Sequence, residues 1–192
     1  MRTSVAPIPY KPLTRERWAD FEDLFGARGA CGGCWCMWWR LKRSQFERQK
    51  GARNRAAMKR LVDSGHVPGI LGYLDGKPIA WCAVAPRETF PVLQRSRTLK
   101  PIDDRPVWSV VCLFIRKEHR RRGVSVQMLR AAAEYVKKRG GKLVEGYPVE
   151  PKTPRMPDAF AWTGITSAFH QAGFADCAKP SKTRTIVRLQ LQ

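Results

Sequence analysis

A chain of 192 residues is long enough for one well-cored domain and short for two. Hydrophobic residues at 43% and charged residues at 27% are ordinary for a globular protein, and no apolar run is long enough to span a bilayer, which excludes a helical membrane protein. The first residues, Met1 to Pro7, carry no apolar stretch of signal-peptide length, so a cytoplasmic protein is expected.

Lys and Arg total 36 against 16 Asp and Glu, a net charge of +20. The excess is not a tail: nine basic residues lie between Arg40 and Arg60, with Glu47 the one acid among them. Such a field raises the local concentration of polyanions and suits nucleic acid, acidic proteins or a phosphorylated cofactor; it is equally a solvated basic surface. Six cysteines without a secretory signal do not read as a disulfide framework. Cys82 and Cys112 sit inside apolar runs and read as small buried hydrophobes.

In chain order, Thr14 as N-cap, Glu16 in the first turn and a Leu13–Trp18 staple open a first helix. Trp18, Phe21, Leu24 and Phe25 recur at helical spacing until Gly26. Ser44-Gln45-Phe46-Glu47 is a capping-box sequence and predicts a second, very basic helix ending near Gly65. Two apolar runs, residues 70–74 and 79–84, flank Asp75-Gly76, a hairpin signal. Residues 87–106 say little beyond a short helix after Pro91. A strand over residues 107–115 feeds a helix carrying Val124, Met128, Leu129, Ala132, Tyr135 and Val136, which stops at Gly140-Gly141. A strand over 143–148, a proline-rich loop over 151–157, a short helix over 165–171 ending at Gly173-Phe174, and a strand over 183–191 complete the chain. The whole of residues 1–192 reads as one α/β domain.

The junction between the strand at 107–115 and the next helix is the most telling segment. It reads Arg120-Arg121-Arg122-Gly123-Val124-Ser125. A helix N-terminus carries free backbone N–H groups and a partial positive charge, so it can hold a phosphate. Gly123 lets a ligand approach the backbone, and the arginines add charge that pairs with phosphate oxygens.

The spacing R-x-x-G-x-S resembles the R/Q-x-x-G-x-G/A acetyl-CoA signature of the GNAT acetyltransferase superfamily, with Ser125 in place of the usual Gly or Ala. The order ααββ(loop)βαβαβ and the closing Gly173-Phe174 pair strengthen the resemblance over nearly the whole chain. So do the stretches WCAVAPR, EGYPVE and CGGCWCMWWR, which resemble a poorly characterised branch of that superfamily. The resemblance implies a single domain with a central mixed, splayed β-sheet flanked by helices. It implies an acetyl-CoA-dependent N-acetyltransferase acting on a primary amine of a small molecule or a protein. Leu113, Phe114 and Ile115 would then pair with the pantetheine arm, and the segment from Arg120 through Arg121, Arg122, Gly123 and Val124 to Ser125 would hold the pyrophosphate.

Direct transfer needs a deprotonated amine, a donor for the developing oxyanion and a proton for the leaving thiolate. The family's acid is a Tyr four residues before the terminal-helix Gly, and here that position is Phe169, which has no hydroxyl. His170 is adjacent but about 100° away on a helix. Glu145 and Tyr147 alternate onto one strand face and are the candidate base and acid; the alternative places Tyr147 in the core and Glu145 in an ion pair. Residues 31–40, CGGCWCMWWR, lie between the first two helices, where the family shapes its acceptor site. Trp35 and Trp38, with Trp39, can form an aromatic wall for a cationic amine or can anchor the loop to the core. Cys31 and Cys34 have C-x-x-C spacing, but Cys36 follows too closely and no second pair completes a zinc shell, so no metal is expected. The alternative function is a basic nucleic-acid-binding or tRNA-directed protein on a degenerate scaffold of the same fold. A homodimer is compatible with either.

Overall fold

The computed structural model describes residues 7–151, 157 and 160–192. Seven strands form one sheet in the order β1-β2-β3-β4-β5-β7-β6. They are β1 Tyr10–Pro12, β2 Gly69–Leu74, β3 Lys77–Pro86, β4 Trp108–Ile115, β5 Leu143–Gly146, β6 Ala175–Ser181 and β7 Arg184–Gln190. The β4–β5 pair is parallel and every other pair is antiparallel. The helices are α1 Trp18–Phe25, α2 Arg43–Gln49, α3 Ala52–Asp63, α4 Pro91–Gln94, α5 Val124–Lys138 and α6 Thr166–Gln171.

Alternation along β3 explains the layering. Trp81, Ala83 and Ala85 face a core built with α1, α3 and the 31–40 loop, while Ala80, Cys82 and Val84 face α5 and α6. Both faces are covered, so β3 reads as a continuous apolar run. Helix α5 buries Val124, Met128, Leu129, Ala132, Tyr135 and Val136 in the second core, the face its sequence periodicity marks.

The expected second helix is two. Its start at Arg43 has Lys42 as N-cap with no side-chain cap bond, so Ser44 falls inside the helix and the capping box does not form. The break comes at Lys50-Gly51, where Gly51 takes φ 81° and its amide donates to the Gly33 carbonyl (3.0 Å). Docking on the 31–40 loop therefore outweighs helix continuity. In α3, Arg55 is paired with Glu22 and Lys59 with Asp63 (2.7 Å), so part of its charge is met within the chain. The hairpin forms where expected, with Asp75 at φ 49° and Gly76 at φ 74°. Two strands carry no usable sequence signal. β1 has three residues, and β6 is an exposed, Pro-containing edge strand with two register breaks. Pro154, within the proline-rich loop, lies outside the described residues.

The feature that positions the site is in β4. Its register with β3 steps from Ala83↔Cys112 to Val84↔Val110, so Val111 is an extra residue, a β-bulge. The ladder to β5 runs only from Trp108↔Val144 to Val110↔Gly146. Beyond the bulge the two parallel strands part.

Candidate active site

Past Val110 the parted edge of β4 is met by groups from elsewhere in the chain. The Trp39 indole N–H donates to the Val111 carbonyl (3.1 Å), the Leu113 amide donates to the Trp162 carbonyl (2.7 Å), and the Arg120 guanidinium donates to the Ile115 carbonyl (2.8 Å). The chain then passes a single 3-10 turn at Lys117–His119 and enters α5 through Arg121 at φ 58° and Gly123 at φ 77°. The first ladder bond of α5 runs from the Gln127 amide to the Gly123 carbonyl (3.2 Å), so the amides before it lack intrahelical acceptors. A Cβ built on Gly123 would meet nothing within 4 Å. This turn is open, left-handed and at the positive end of a 15-residue helix.

The end of β4, Trp162 and the turn into α5 line one cleft of about 410 Å³. It collects Leu113, Phe114, Ile115, Arg120, Arg121, Gly123, Val124 and Ser125 from the expected cofactor set; Arg122 is exposed beside it and is not part of the lining. Leu113 is present with its amide already bonded to Trp162, so a ligand pairing with that amide has to displace the Trp162 carbonyl.

A second cavity of about 310 Å³ adjoins the first and shares Ala30, Cys31, Leu113, Phe114 and Trp162 with it. Trp38 and Trp39 line it, as does Trp162, which sequence reasoning passed over. The available signal for Trp162 is an aromatic pair, Phe160 and Trp162, between the Pro-rich stretch and Gly164. Trp35 is not in this wall. It is 4% exposed, stacked on Phe25 (centroids 5.7 Å apart, planes 20° apart) and close to Phe21 (6.0 Å). Its backbone is left-handed (φ 43°), as is that of Cys36 (φ 57°), and this turns the indole inward. Trp35→Ala is expected to destabilise the protein by about 3–5 kcal/mol, the cost of truncating a buried aromatic. Chemical denaturation measures it, and a loss below about 1 kcal/mol would return Trp35 to the acceptor wall.

The cavity wall also holds thiols. Cys36 Sγ accepts the Trp81 indole N–H (3.1 Å). A bond from the Cys112 thiol holds the Cys36 thiol below the usual cysteine range against the opposing effect of burial, and Trp81 and the nearby Arg40 charge act the same way. Cys112 is pushed up, first by that bond to Cys36 and then by burial. Burial raises Cys34 as well. All six cysteines are free. Among the described residues no group of three or more His, Cys, Asp or Glu could hold a metal ion.

Glu145 and Tyr147 do come together, away from both cavities. The Tyr147 hydroxyl donates to Glu145 Oε1 (2.6 Å) and lies 2.8 Å from Ser109 Oγ. Glu145 is also bonded by two guanidinium groups, Arg87 at Oε1 (2.9 Å) and Arg188 at Oε2 (2.7 Å). Arg188 continues to Asp103 Oδ2 (2.6 Å), whose carboxyl it holds well below the usual range, and Arg87 donates to the Leu99 carbonyl (2.6 Å). Burial pushes the Tyr147 phenol far above its ordinary value, with the Glu145 charge adding to it. The geometry is that of the ion-pair alternative: a network joining β4, β5 and β7, buried at Arg87, Ser109, Glu145, Tyr147 and Arg188 and reaching the surface at Asp103. It also holds residues 87–106 at Leu99 and Asp103; the short helix expected after Pro91 in that segment is α4. Phe169 is fully buried edge-to-face against Phe174 (5.0 Å) and sits where a Cβ on Gly146 would collide with it. His170 is exposed and paired with Asp176 (2.6 Å), as befits a surface residue.

The cleft has relatives. No curated protein matches the sequence. Among solved structures, a GNAT-family acetyltransferase from Streptococcus agalactiae 2603 superposes with a TM-score of 0.56 at 15% identity, covering 96% of each chain. The PaiA N-acetyltransferase of Thermoplasma acidophilum, solved in complex with coenzyme A, gives 0.51 at 14% identity over 96% of this chain and 99% of that one. The NatC complex bound to Gag peptide and CoA gives 0.51 at 12% identity, again over 96% and 99%. The family model for GNAT acetyltransferases matches residues 35–152, a span that includes Trp38, Trp39, the start of α5 and Glu145. With the splayed β4–β5 pair and the glycine turn into α5, that match makes this chain a member of the GNAT acetyltransferase family.

Proposed function

We propose that this protein transfers an acetyl group from acetyl-CoA to a primary amine. The observation that carries the reading is the continuity of one cleft from the parted β4 edge to the open left-handed turn at Gly123. The residues fit the cosubstrate. The free amides at the start of α5 and the positive end of its dipole suit a pyrophosphate, and nothing occupies the space over Gly123. The guanidinium groups of Arg121 and Arg122 are exposed beside that turn. The backbone at Ile115, and at Leu113 once the Trp162 carbonyl moves aside, is suited to pair with an extended pantetheine arm. Bound acetyl-CoA supplies the activated thioester.

In this reading the acceptor amine occupies the adjoining cavity and meets the thioester across the shared wall of Leu113 and Phe114. That chamber disfavours an ammonium by desolvation, which promotes the neutral amine that direct attack requires. Backbone N–H groups on the parted β4 edge are the donors available to the oxyanion. Phe169 cannot protonate the leaving thiolate, so that proton comes from solvent or from the amine itself. Glu145 and Tyr147 act as positioning residues: their network fixes Ser109 on β4 against β5, immediately before the bulge from which the strands part.

A thermal-shift titration tests the cofactor assignment. Acetyl-CoA is expected to raise the melting temperature, with a stabilisation of about 2.7 kcal/mol at 100 times Kd. No shift at millimolar acetyl-CoA, or an equal shift with sulfate, contradicts it.

A further inference from the structure

The smaller cavity says what kind of amine it takes, an inference that rests on the proposed acetyl transfer. Its 310 Å³ are walled by six aromatic rings (Phe25, Trp38, Trp39, Phe46, Phe114 and Trp162) and by the half-buried or buried Cys34, Cys36 and Cys112. Among the described residues no Asp or Glu is in the lining, and Lys50 is the single charged one.

Three of the six rings already carry a cation of the chain. The Arg43 guanidinium lies over Trp38 (4.1 Å), Lys50 over Phe46 (5.9 Å) and Arg120 over Phe114 (6.0 Å). At those three rings the chain's own cations already make the attraction that a polyamine or a lysine-rich peptide would need. Such an acceptor would bring further positive charge into a protein of net charge +20, with no carboxylate among the described lining residues to meet it. An uncharged, flat, apolar body gains instead, because it removes its own surface and that of the rings from water at about 25 cal/mol per Å². The chamber lies at the lower end of the volumes typical of small-molecule sites, about 300–1,000 Å³.

From this we infer that the acceptor is a small monoamine with an aromatic body: the ring lies among Trp38, Trp39 and Trp162, and the amino group points at the shared Leu113–Phe114 wall. The neutral amine nitrogen forms the new amide bond with the acetyl carbonyl carbon, the carbon–sulfur bond breaks, and the CoA thiolate leaves. The proton lost from nitrogen goes to that thiolate or to solvent.

The test measures CoA release with full-length protein and a panel of tryptamine, phenylethylamine, tryptophan, spermidine and a lysine-rich peptide. At least one aromatic amine is expected to exceed spermidine and the peptide in kcat/KM by about 100-fold or more. Trp38→Ala and, as a second variant that fills rather than empties the chamber, Cys34→Leu should each lower aromatic-amine kcat/KM by about 10-fold or more, leaving the acetyl-CoA thermal shift in place. Spermidine or the peptide matching the aromatic amines overturns the inference. So does a normal acetyl-CoA shift with no aromatic amine turned over, which leaves the cofactor reading standing. If acetyl-CoA does not bind at all, the proposed function falls by itself. Isothermal titration with tryptamine then still decides the chamber: saturable binding lost in Cys34→Leu supports the inference, and no saturable binding overturns it.

Discussion

Gly123→Glu is expected to weaken acetyl-CoA binding by more than about 100-fold while leaving a folded protein. The substitution acts where the helix-start amides are unpartnered and the space over the turn is open. The Cβ of the new side chain meets nothing within 4 Å, and a carboxylate near the positive end of α5 favours the fold by about 0.3–1 kcal/mol. That gain offsets part of the strain of a side chain at φ 77°, about 1–2 kcal/mol. The carboxylate would compete for the same amides as the pyrophosphate and repel its charge. Gly123→Ala is the control, since it carries the same backbone strain without the carboxylate and should keep most of the affinity. Isothermal titration on both variants, with circular dichroism to confirm the fold, reads the difference. A Glu variant whose Kd stays within about 3-fold of the parent moves the phosphate site elsewhere.

Glu145→Gln should be the most destabilising single polar change in the protein. Glu145 is the common partner of Arg87 and Arg188, and both guanidinium groups are buried with it. Removing its charge leaves two cations sharing only Asp103, backbone carbonyls and an amide. Breaking a buried ion pair in this way costs about 3–5 kcal/mol. Tyr147→Phe removes one hydroxyl from the same network and should cost less, about 1–3 kcal/mol. Urea denaturation gives both values. Turnover per folded molecule separates positioning from proton transfer, and in each variant it should stay within about 3-fold of the parent. A stable Glu145→Gln protein that has lost about 100-fold or more in turnover would instead make Glu145 a proton acceptor.

The contrast between these two sites shows what sequence makes legible. The phosphate cradle is local: a strand, a basic turn, a glycine and a helix lie within residues 107–138, and every step has a chain-adjacent cause. Glu145 and Tyr147 are equally visible as alternating polar residues on a strand. Their partners Arg87, Asp103 and Arg188 lie dozens of residues away, and no periodicity announces them. The same distance effect splits the basic helix. Gly51 breaks because it meets Gly33, which only the folded 31–40 loop brings to it. Within that loop Trp35 and Trp38 look interchangeable in sequence. Left-handed backbone at Trp35 and Cys36 sends one indole to the core and leaves the other at the cavity. Trp162 carries no local signal for its place at that cavity, because the rings it packs against, Trp38 and Trp39, lie more than a hundred residues away in the chain.

Hydrogen exchange of the full chain, read with and without saturating acetyl-CoA, bears most directly on where the cosubstrate sits. Protection is expected to rise at the amides of residues 121–126 and at Ile115 and to persist at Leu113, whose amide would exchange its Trp162 partner for the ligand. Saturable binding that protects other segments, and leaves both the α5 turn and the β4 edge unchanged, would contradict the assignment of this cleft to acetyl-CoA.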